Sequence, residues 1–181
     1  MATPSMGPCY HTTLARLRRA ELAPRIANPP HCGHRVFGGA KGVDDWLERY
    51  PVGRRAEVRH TFRMADVQAY AALTGDMNPL HVDPAAAARG RFGRPVVHGM
   101  LTASLFSRLL AMDVPGPGTI YLRQSLRFAR PVWPDEEVTA SVAILRRSPR
   151  RRLIWLRTVC ADQDGRALVE GEALVLKEDD G

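Results

Sequence analysis

The chain has 181 residues and a formal net charge of +7, and its length allows one domain with a sizeable core. No apolar run approaches the roughly 20 residues that cross a bilayer, so no membrane span is predicted. Three widely spaced cysteines (Cys9, Cys32 and Cys160) form no CxxC pair, which argues against a disulfide framework and a cysteine zinc site and indicates a reducing compartment.

The first 43 residues differ from the rest in charge. Residues 1–43 carry six Lys/Arg and one acid, whereas residues 44–181 carry twenty Lys/Arg and eighteen acids. An Arg-bearing, acid-poor stretch with a potential amphipathic helix from Thr12 to Ala23 is typical of a mitochondrial transit peptide. The alternative is a bacterial or cytosolic leader without a targeting role. We predict a leader over residues 1–45, a globular domain over residues 46–181 and a mitochondrial location, with a cytoplasmic location as the alternative.

The globular part begins with a strand and two helices. Residues 56–62 alternate in polarity, as a half-buried strand does. Residues 64–73 have helical character, and Gly75 follows as a stop signal. Asp83 and Pro84, followed by four alanines, predict a second short helix with Asp83 as its N-cap and Pro84 in its first turn.

One long apolar helix and four strands follow. Gly99 to Met112 is nearly continuous in Met, Leu, Ala and Phe, which predicts a buried helix. The strand-like runs cover about 119–128, 137–145, 153–161 and 167–176, with hairpin turns predicted at Ser148-Pro149 and Asp164-Gly165. A strand, then helices, then an antiparallel meander predicts an α+β fold whose sheet wraps around one buried helix.

A carboxylate and an imidazole, Asp76 and His81, lie five residues apart between the two predicted short helices. Gly75 ends the first helix and Asn78-Pro79 forces a turn, so the chain bends between them. A bend can bring both side chains to one point, where the pair can move protons to and from a water molecule near neutral pH. Spacing alone leaves other roles open, because Asp often caps helices and His often lies at the surface.

A second segment, residues 92–100, leads directly into the long apolar helix. Its Gly99 stands at the predicted helix start. Unpaired backbone N–H groups at such a start can hold a developing oxyanion, and glycine permits close approach of a ligand.

These two segments together resemble the MaoC-like (R)-specific hydratase and dehydratase family of the hotdog fold. The matching residues are Thr74-Gly75-Asp76-Met77-Asn78-Pro79-Leu80-His81, Phe92-Gly93 and Pro95-Val96-Val97-His98-Gly99-Met100. The similarity covers about residues 52–176. It implies a single hotdog domain, an antiparallel sheet wrapped around a long central helix, that forms a homodimer.

The resemblance also implies roles for individual residues. Asp76 and His81 would be the catalytic pair, the Gly99 amide would be the oxyanion donor, and the substrate would contact Asn78, Val97, His98 and Ser107. Other roles stay open for three of these residues. Asn78 fits a turn residue, Ser107 fits a small residue bonded to its own helix, and His98 fits a residue that shapes the helix entry.

The implied activity is reversible addition of water to a trans-2-enoyl thioester to give the (R)-3-hydroxyacyl thioester, with no cofactor and no metal. A mitochondrial leader favours dehydration of 3-hydroxyacyl carrier protein in type II fatty acid synthesis. The alternative is hydration of enoyl-CoA in fatty acid oxidation or polyester precursor supply. A hotdog thioesterase usually has an acid on or beside the central helix, and Gly99–Met112 contains none. A non-catalytic acyl-binding subunit would not need both Asp76 and His81.

Five arginines cluster at a predicted hairpin tip, in the run Arg146-Arg147-Ser148-Pro149-Arg150-Arg151-Arg152. We favour a solvated turn. The alternative is a contact for the phosphates of CoA or for an acidic acyl carrier protein. Nucleic acid is not predicted as a partner, because no aromatic residues interleave with the arginines and no recognised module accompanies them.

Overall fold

The computed structural model describes residues 40–177, and most of the predicted leader lies outside them. The helices are α1 (Ala40–Arg49), α2 (Met64–Thr74), α3 (Pro79–Val82), α4 (Pro84–Ala88) and α5 (Gly99–Met112). The strands are β1 (Arg55–Thr61), β2 (Thr119–Phe128), β3 (Glu137–Ser148), β4 (Leu153–Ala161) and β5 (Ala167–Lys177). Helix α1 crosses the boundary predicted at residue 45, which stays a prediction. Within residues 40–177, no helix is long and apolar enough to span a bilayer.

The five strands form one antiparallel sheet in the order β1-β3-β4-β5-β2. The predicted meander is correct for β3 to β5 and wrong for β2, which pairs with β5 at the edge of the sheet. The connection from β2 to β3 contains Pro131 and Pro134, which have no N–H to donate to a ladder. This connection crosses the ends of the strands. The backbone N–H groups of Ala129 and Arg130 donate to Leu168 O, and the N–H of Asp135 donates to Phe62 O.

Helix α5 packs against one face of the sheet and supplies the centre of the core. Strands β3 and β4 bury every second side chain, whereas α5 buries a stripe with helical spacing. The buried side chains are Ala103, Phe106, Leu109 and Leu110 from α5, Val138, Ala140, Val142 and Ile144 from β3, and Ile154, Leu156, Thr158 and Cys160 from β4. The α+β prediction, with the sheet against one buried helix, is confirmed.

The arginine run at the β3–β4 connection has a structural role. Arg147 donates hydrogen bonds to the backbone carbonyls of Leu47 and Tyr50 at the end of α1. Arg146 lies over the ring of Trp155, 3.6 Å from its centroid. The expectation of a solvated turn is therefore wrong for Arg147, whose guanidinium ties α1 to the hairpin.

Candidate active site

The end of α2 determines where Asp76 lies. Gly75 caps the helix in the left-handed region at φ 78°, and its N–H donates to Ala71 O at 2.8 Å. Thr74 Oγ1 accepts a bond from the Asp76 N–H at 3.3 Å. The chain therefore leaves the helix at once, and the Asp76 carboxylate is about half exposed at 52%. This geometry follows the stop signal predicted at Gly75.

His81 lies in α3, a single turn that periodicity did not predict. Its Nδ1 is 2.7 Å from the carbonyl oxygen of Val96, and the Val96 N–H donates to Leu80 O at 3.3 Å. A carbonyl oxygen can only accept, so Nδ1 is the ring nitrogen that carries the proton. The lone pair of Nε2 is then available as a base.

Three side chains meet at this point: Asp76, His81 and His98. Their carboxylate oxygen and ring nitrogens lie within 4.8 Å of one another. One water molecule that makes two hydrogen bonds of about 2.8 Å at a near-tetrahedral angle bridges groups that are roughly 4.6 Å apart. An upper limit of 4.8 Å between a carboxylate oxygen of Asp76 and a ring nitrogen of His81 allows one shared water. The bend therefore brings the two side chains together, as the segment predicted.

His98 is the buried member of the cluster, only 2% exposed. Its ring stacks on His81 with centroids 3.9 Å apart, and Tyr70 lies at 5.0 Å in a tilted arrangement. Nε2 of His98 is 3.1 Å from the backbone oxygen of Asp76 and 3.9 Å from its Oδ2. The structure thus brings His98 to Asp76 and His81 as a buried neighbour.

Helix α5 points its N-terminus at the same cluster. Its first intrahelical bond runs from the Thr102 N–H to His98 O at 3.1 Å, so the N–H of Gly99 has no acceptor within the helix. A Cβ on Gly99 would lie 2.8 Å from a ring atom of Phe128. A side chain at position 99 would therefore require the half-exposed ring of Phe128 to move, whereas glycine leaves the ring in place. The Gly99 amide is available to an oxyanion.

A cleft of about 530 Å³ joins these groups. Its lining combines a few polar side chains with an apolar wall, as small-molecule sites do. The lining residues are Tyr70, Thr74, Asp76, His81, Val96, Val97, His98, Gly99, Met100, Thr102, Phe128, Arg130, Val132 and Val169. Five of the seven predicted site residues line it.

The other two predicted site residues, Asn78 and Ser107, do not line this cleft. Asn78 is the N-cap of α3, and its Oδ1 accepts from the Leu80 N–H at 3.1 Å, so the turn role is the one seen here. Ser107 is exposed on α5. Substrate contact by either residue stays a prediction.

Sequence reasoning missed several lining residues. Tyr70 and Thr74 are one helical turn apart in α2, and Thr74 Oγ1 donates to Tyr70 O at 2.8 Å, so helical spacing from the predicted site was a usable signal. Phe128 and Arg130 come from the end of β2 and the segment after it. Only the three-dimensional path of that segment brings them to the cleft.

Among residues 40–177, the geometry does not favour metal binding or thiol chemistry. His81 Nε2, the Asp76 carboxylate and the buried Nδ1 of His98 have lone pairs to offer, but Nε2 of His98 is already bonded to the backbone oxygen of Asp76. This bond favours an anchoring role for His98 over metal ligation. Burial raises the pKa of the Cys160 thiol to about 12, which removes it as a nucleophile near neutral pH.

A second cavity, of about 470 Å³, lies beside the β4–β5 turn and the β2–β3 connection. Three of its four lining carboxylates are paired with arginines: Asp162 and Asp164 with Arg166, and Glu136 with Arg94. The first cleft, which holds the free base and the helix terminus, is therefore the candidate active site.

Comparison with known proteins agrees with this geometry. Residues 50–158 match the profile described as a MaoC like domain. The chain belongs to the MaoC-like family. Among MaoC-like relatives, the (R)-specific enoyl-CoA hydratase of Aeromonas caviae is 49% identical over 124 residues, which are 68% of this chain and 92% of the relative.

A second MaoC-like relative is the mitochondrial 3-hydroxyacyl-[acyl-carrier-protein] dehydratase of Solanum lycopersicum. It is 37% identical over 143 residues, which are 78% of this chain and 84% of the relative. The solved structure of the A. caviae (R)-hydratase involved in PHA biosynthesis superimposes with a TM-score of 0.68 at 48% identity, covering 70% of this chain and 96% of that one. The predicted hotdog fold is confirmed.

Proposed function

We propose that the protein is a hydro-lyase that adds water reversibly to trans-2-enoyl thioesters and forms (R)-3-hydroxyacyl thioesters. The observation that carries the proposal is the meeting of Asp76, His81 and the N-terminus of α5 in one cleft. A carboxylate and a neutral imidazole can hold and deprotonate one water. The free amide at Gly99 can accept the charge that develops on the thioester oxygen.

The chemical step follows from these groups. Asp76 and His81 hold the water, and Nε2 of His81 takes one of its protons as the oxygen bonds to C3. Electrons from the C2–C3 double bond move toward the thioester carbonyl, whose oxygen is stabilised by the Gly99 amide. The proton on Nε2 then passes to C2, which restores the starting state of the enzyme. Dehydration uses the same steps in reverse.

We propose an acyl carrier protein as the physiological carrier, with mitochondrial fatty acid synthesis as the setting. The acid-poor leader and the mitochondrial dehydratase of S. lycopersicum support this reading. The alternative is (R)-specific hydration of enoyl-CoA, which the 49% identity to the A. caviae enzyme favours. Arg130 lines the cleft, where a cation can meet the phosphate that both carriers share.

The activity is tested with crotonyl-CoA and crotonyl carrier protein side by side. Loss of the enoyl absorbance without release of free thiol, and an (R)-configured product, are the expected results. Thiol release without hydration would indicate a thioesterase, and binding without turnover would indicate an acyl-binding subunit. A higher kcat/KM for one carrier decides between the two settings.

The location is tested separately, because most of the predicted leader lies outside the described residues. Residues 1–45 fused to a fluorescent reporter should direct it to mitochondria in a eukaryotic host, since an acid-poor amphipathic leader is what import requires. A matched fusion with Arg16, Arg18 and Arg19 changed to Glu should stay in the cytosol. A diffuse signal from the unaltered leader would contradict the mitochondrial proposal and leave the chemistry untouched.

We also propose a homodimer formed through the edge of the sheet. Strand β2 is ten residues long, and among the strands of residues 40–177 it has a neighbour, β5, on one side only. It exposes large apolar side chains at Ile120, Tyr121, Leu122 and Phe128. A long apolar edge strand is an aggregation hazard unless something covers it, and a second copy of the same strand is suited to do so.

A further inference from the structure

We propose that His98 is a positioning residue that links the proton-transfer pair to the oxyanion donor. The inference rests on the proposed function and assigns to His98 a role other than substrate contact. It draws on three separate contacts of one residue: a side-chain bond to the Asp76 loop, a ring stack on His81, and a backbone position directly before Gly99.

The first contact fixes the Asp76 loop. His98 Nε2 lies 3.1 Å from the backbone oxygen of Asp76, which can only accept, so Nε2 carries a proton and donates it. The Asp76 side chain is half exposed and sits in a short loop between α2 and α3. A bond from a side chain that is 2% exposed therefore gives this loop a rigid anchor.

The second contact concerns the protonation of the ring. Within residues 40–177, Nδ1 of His98 is buried and has no hydrogen-bond partner. A buried N–H without an acceptor is unfavourable, and more so when the ring is charged. The ring is therefore neutral with its proton on Nε2, and it stacks on His81 at 3.9 Å without adding a positive charge beside the base.

The third contact sets the start of α5. His98 is the N-cap residue, and its backbone oxygen accepts from the Thr102 N–H at 3.1 Å and from Thr102 Oγ1 at 3.3 Å. The next residue is Gly99. His98 thus contacts the Asp76 loop, the ring of His81 and the start of α5. A shift of its ring would therefore change the distance between the water held by Asp76 and His81 and the amide of Gly99. A misplacement of about 1 Å can cost roughly a hundredfold in rate.

The test compares two substitutions that differ in the donor. His98→Gln can keep an N–H donor near the position of Nε2, whereas His98→Phe keeps the ring stack and removes the donor. His60→Phe is the matched control, because His60 is a half-buried histidine on β1 that packs on Phe62 outside the cleft. Hydration of crotonyl-CoA gives kcat and KM, and thermal unfolding reports the fold.

We expect His98→Phe to lower kcat about 30-fold with little change in KM, since the substrate contacts remain while the geometry of the reacting groups is lost. His98→Gln should stay within about fivefold of the unaltered enzyme. His60→Phe should behave as the unaltered enzyme does. Equal losses in the two His98 variants, or a His98→Phe enzyme with more than a third of the normal kcat, would overturn the proposal.

A measurement on the unaltered protein covers the case in which a variant does not fold. Nitrogen-15 NMR of the imidazole rings distinguishes a protonated nitrogen from one with a free lone pair. His98 should carry its proton on Nε2 and a lone pair on Nδ1, and His81 should show the opposite arrangement. A doubly protonated His98, or a proton on Nδ1 alone, contradicts the positioning role. This result does not depend on whether the enoyl thioester is the substrate.

Discussion

At the candidate active site, two backbone carbonyls determine which imidazole nitrogen carries a proton. Val96 O fixes the proton of His81 on Nδ1, and Asp76 O fixes that of His98 on Nε2. The adjacent rings thus have opposite tautomers, and only His81 offers a lone pair on Nε2. Residue type and the bend predicted that Asp76 and His81 would meet, and the family resemblance implied their catalytic role. The different protonation of the two histidines depends on carbonyls that lie 15 residues from His81 and 22 residues from His98 along the chain. No local sequence pattern reveals such contacts.

The oxyanion role of Gly99 is testable because proline is favoured at the first position of a helix and lacks an N–H. His98 has φ −56° and ψ 134°, a conformation compatible with a following proline. The ring would collide with Phe128, so the substitution is made in a Phe128→Ala background. We expect Gly99→Pro/Phe128→Ala to have a kcat about 100-fold below that of Gly99→Ala/Phe128→Ala.

The comparison isolates the backbone N–H of residue 99, because both double variants have the enlarged cleft and a side chain at that position. Steady-state kinetics with crotonyl-CoA give the ratio of the two kcat values, and thermal unfolding confirms that both proteins fold. Equal kcat values for the two double variants would show that the Gly99 amide is not the donor.

At the level of elements, local patterns predicted the strands and the longer helices, since periods of 2 and 3.6 residues are visible over ten positions. Helix α3 was not predicted because four residues cannot show a helical period. Helix α1 was not predicted because the acid-poor start of its sequence resembles the leader. The pairing of β2 with β5 was not predicted because the position of a strand in the sheet depends on the path of the connection that follows it.

The attachment of α1 to the β3–β4 hairpin predicts unequal effects within one arginine run. Arg147→Met should lower the free energy of unfolding by about 2 kcal/mol, because it removes a charged donor from two carbonyls. Arg150→Met, at an exposed position, should change it by less than about 0.5 kcal/mol. Urea unfolding measures both, and equal effects would contradict the tie between Arg147 and α1.

For the whole molecule, the sheet places the cleft and the arginine run at opposite ends of β4. The cleft wall includes Val169, which pairs with Cys160, whereas the run adjoins Leu153. Seven residues of strand separate the two ends, which is about 23 Å at 3.3 Å per residue. Within one chain, the run is therefore remote from the cleft, whereas Arg130 lines it.

The proposed dimer predicts a solution mass of about twice the 20.1 kDa of one chain, as two edge strands cover each other. The double substitution Ile120→Glu/Leu122→Glu should give a monomer, because four charges would face one another across the β2 edge. Leu145→Glu, also an exposed leucine but on β3, should leave the dimer intact. Sedimentation equilibrium gives the masses. A monomeric unaltered protein would contradict the dimer.

The central claim is that Asp76 and His81 act on one water in this cleft. The most direct measurement is the kcat of Asp76→Asn against that of Asp83→Asn with crotonyl-CoA. Asp83 caps α4 seven residues further on, and asparagine caps a helix equally well. We predict that Asp76→Asn loses at least about a hundredfold in kcat, and that Asp83→Asn stays within about twofold. An Asp76→Asn enzyme that keeps more than about a tenth of the normal kcat would contradict the account.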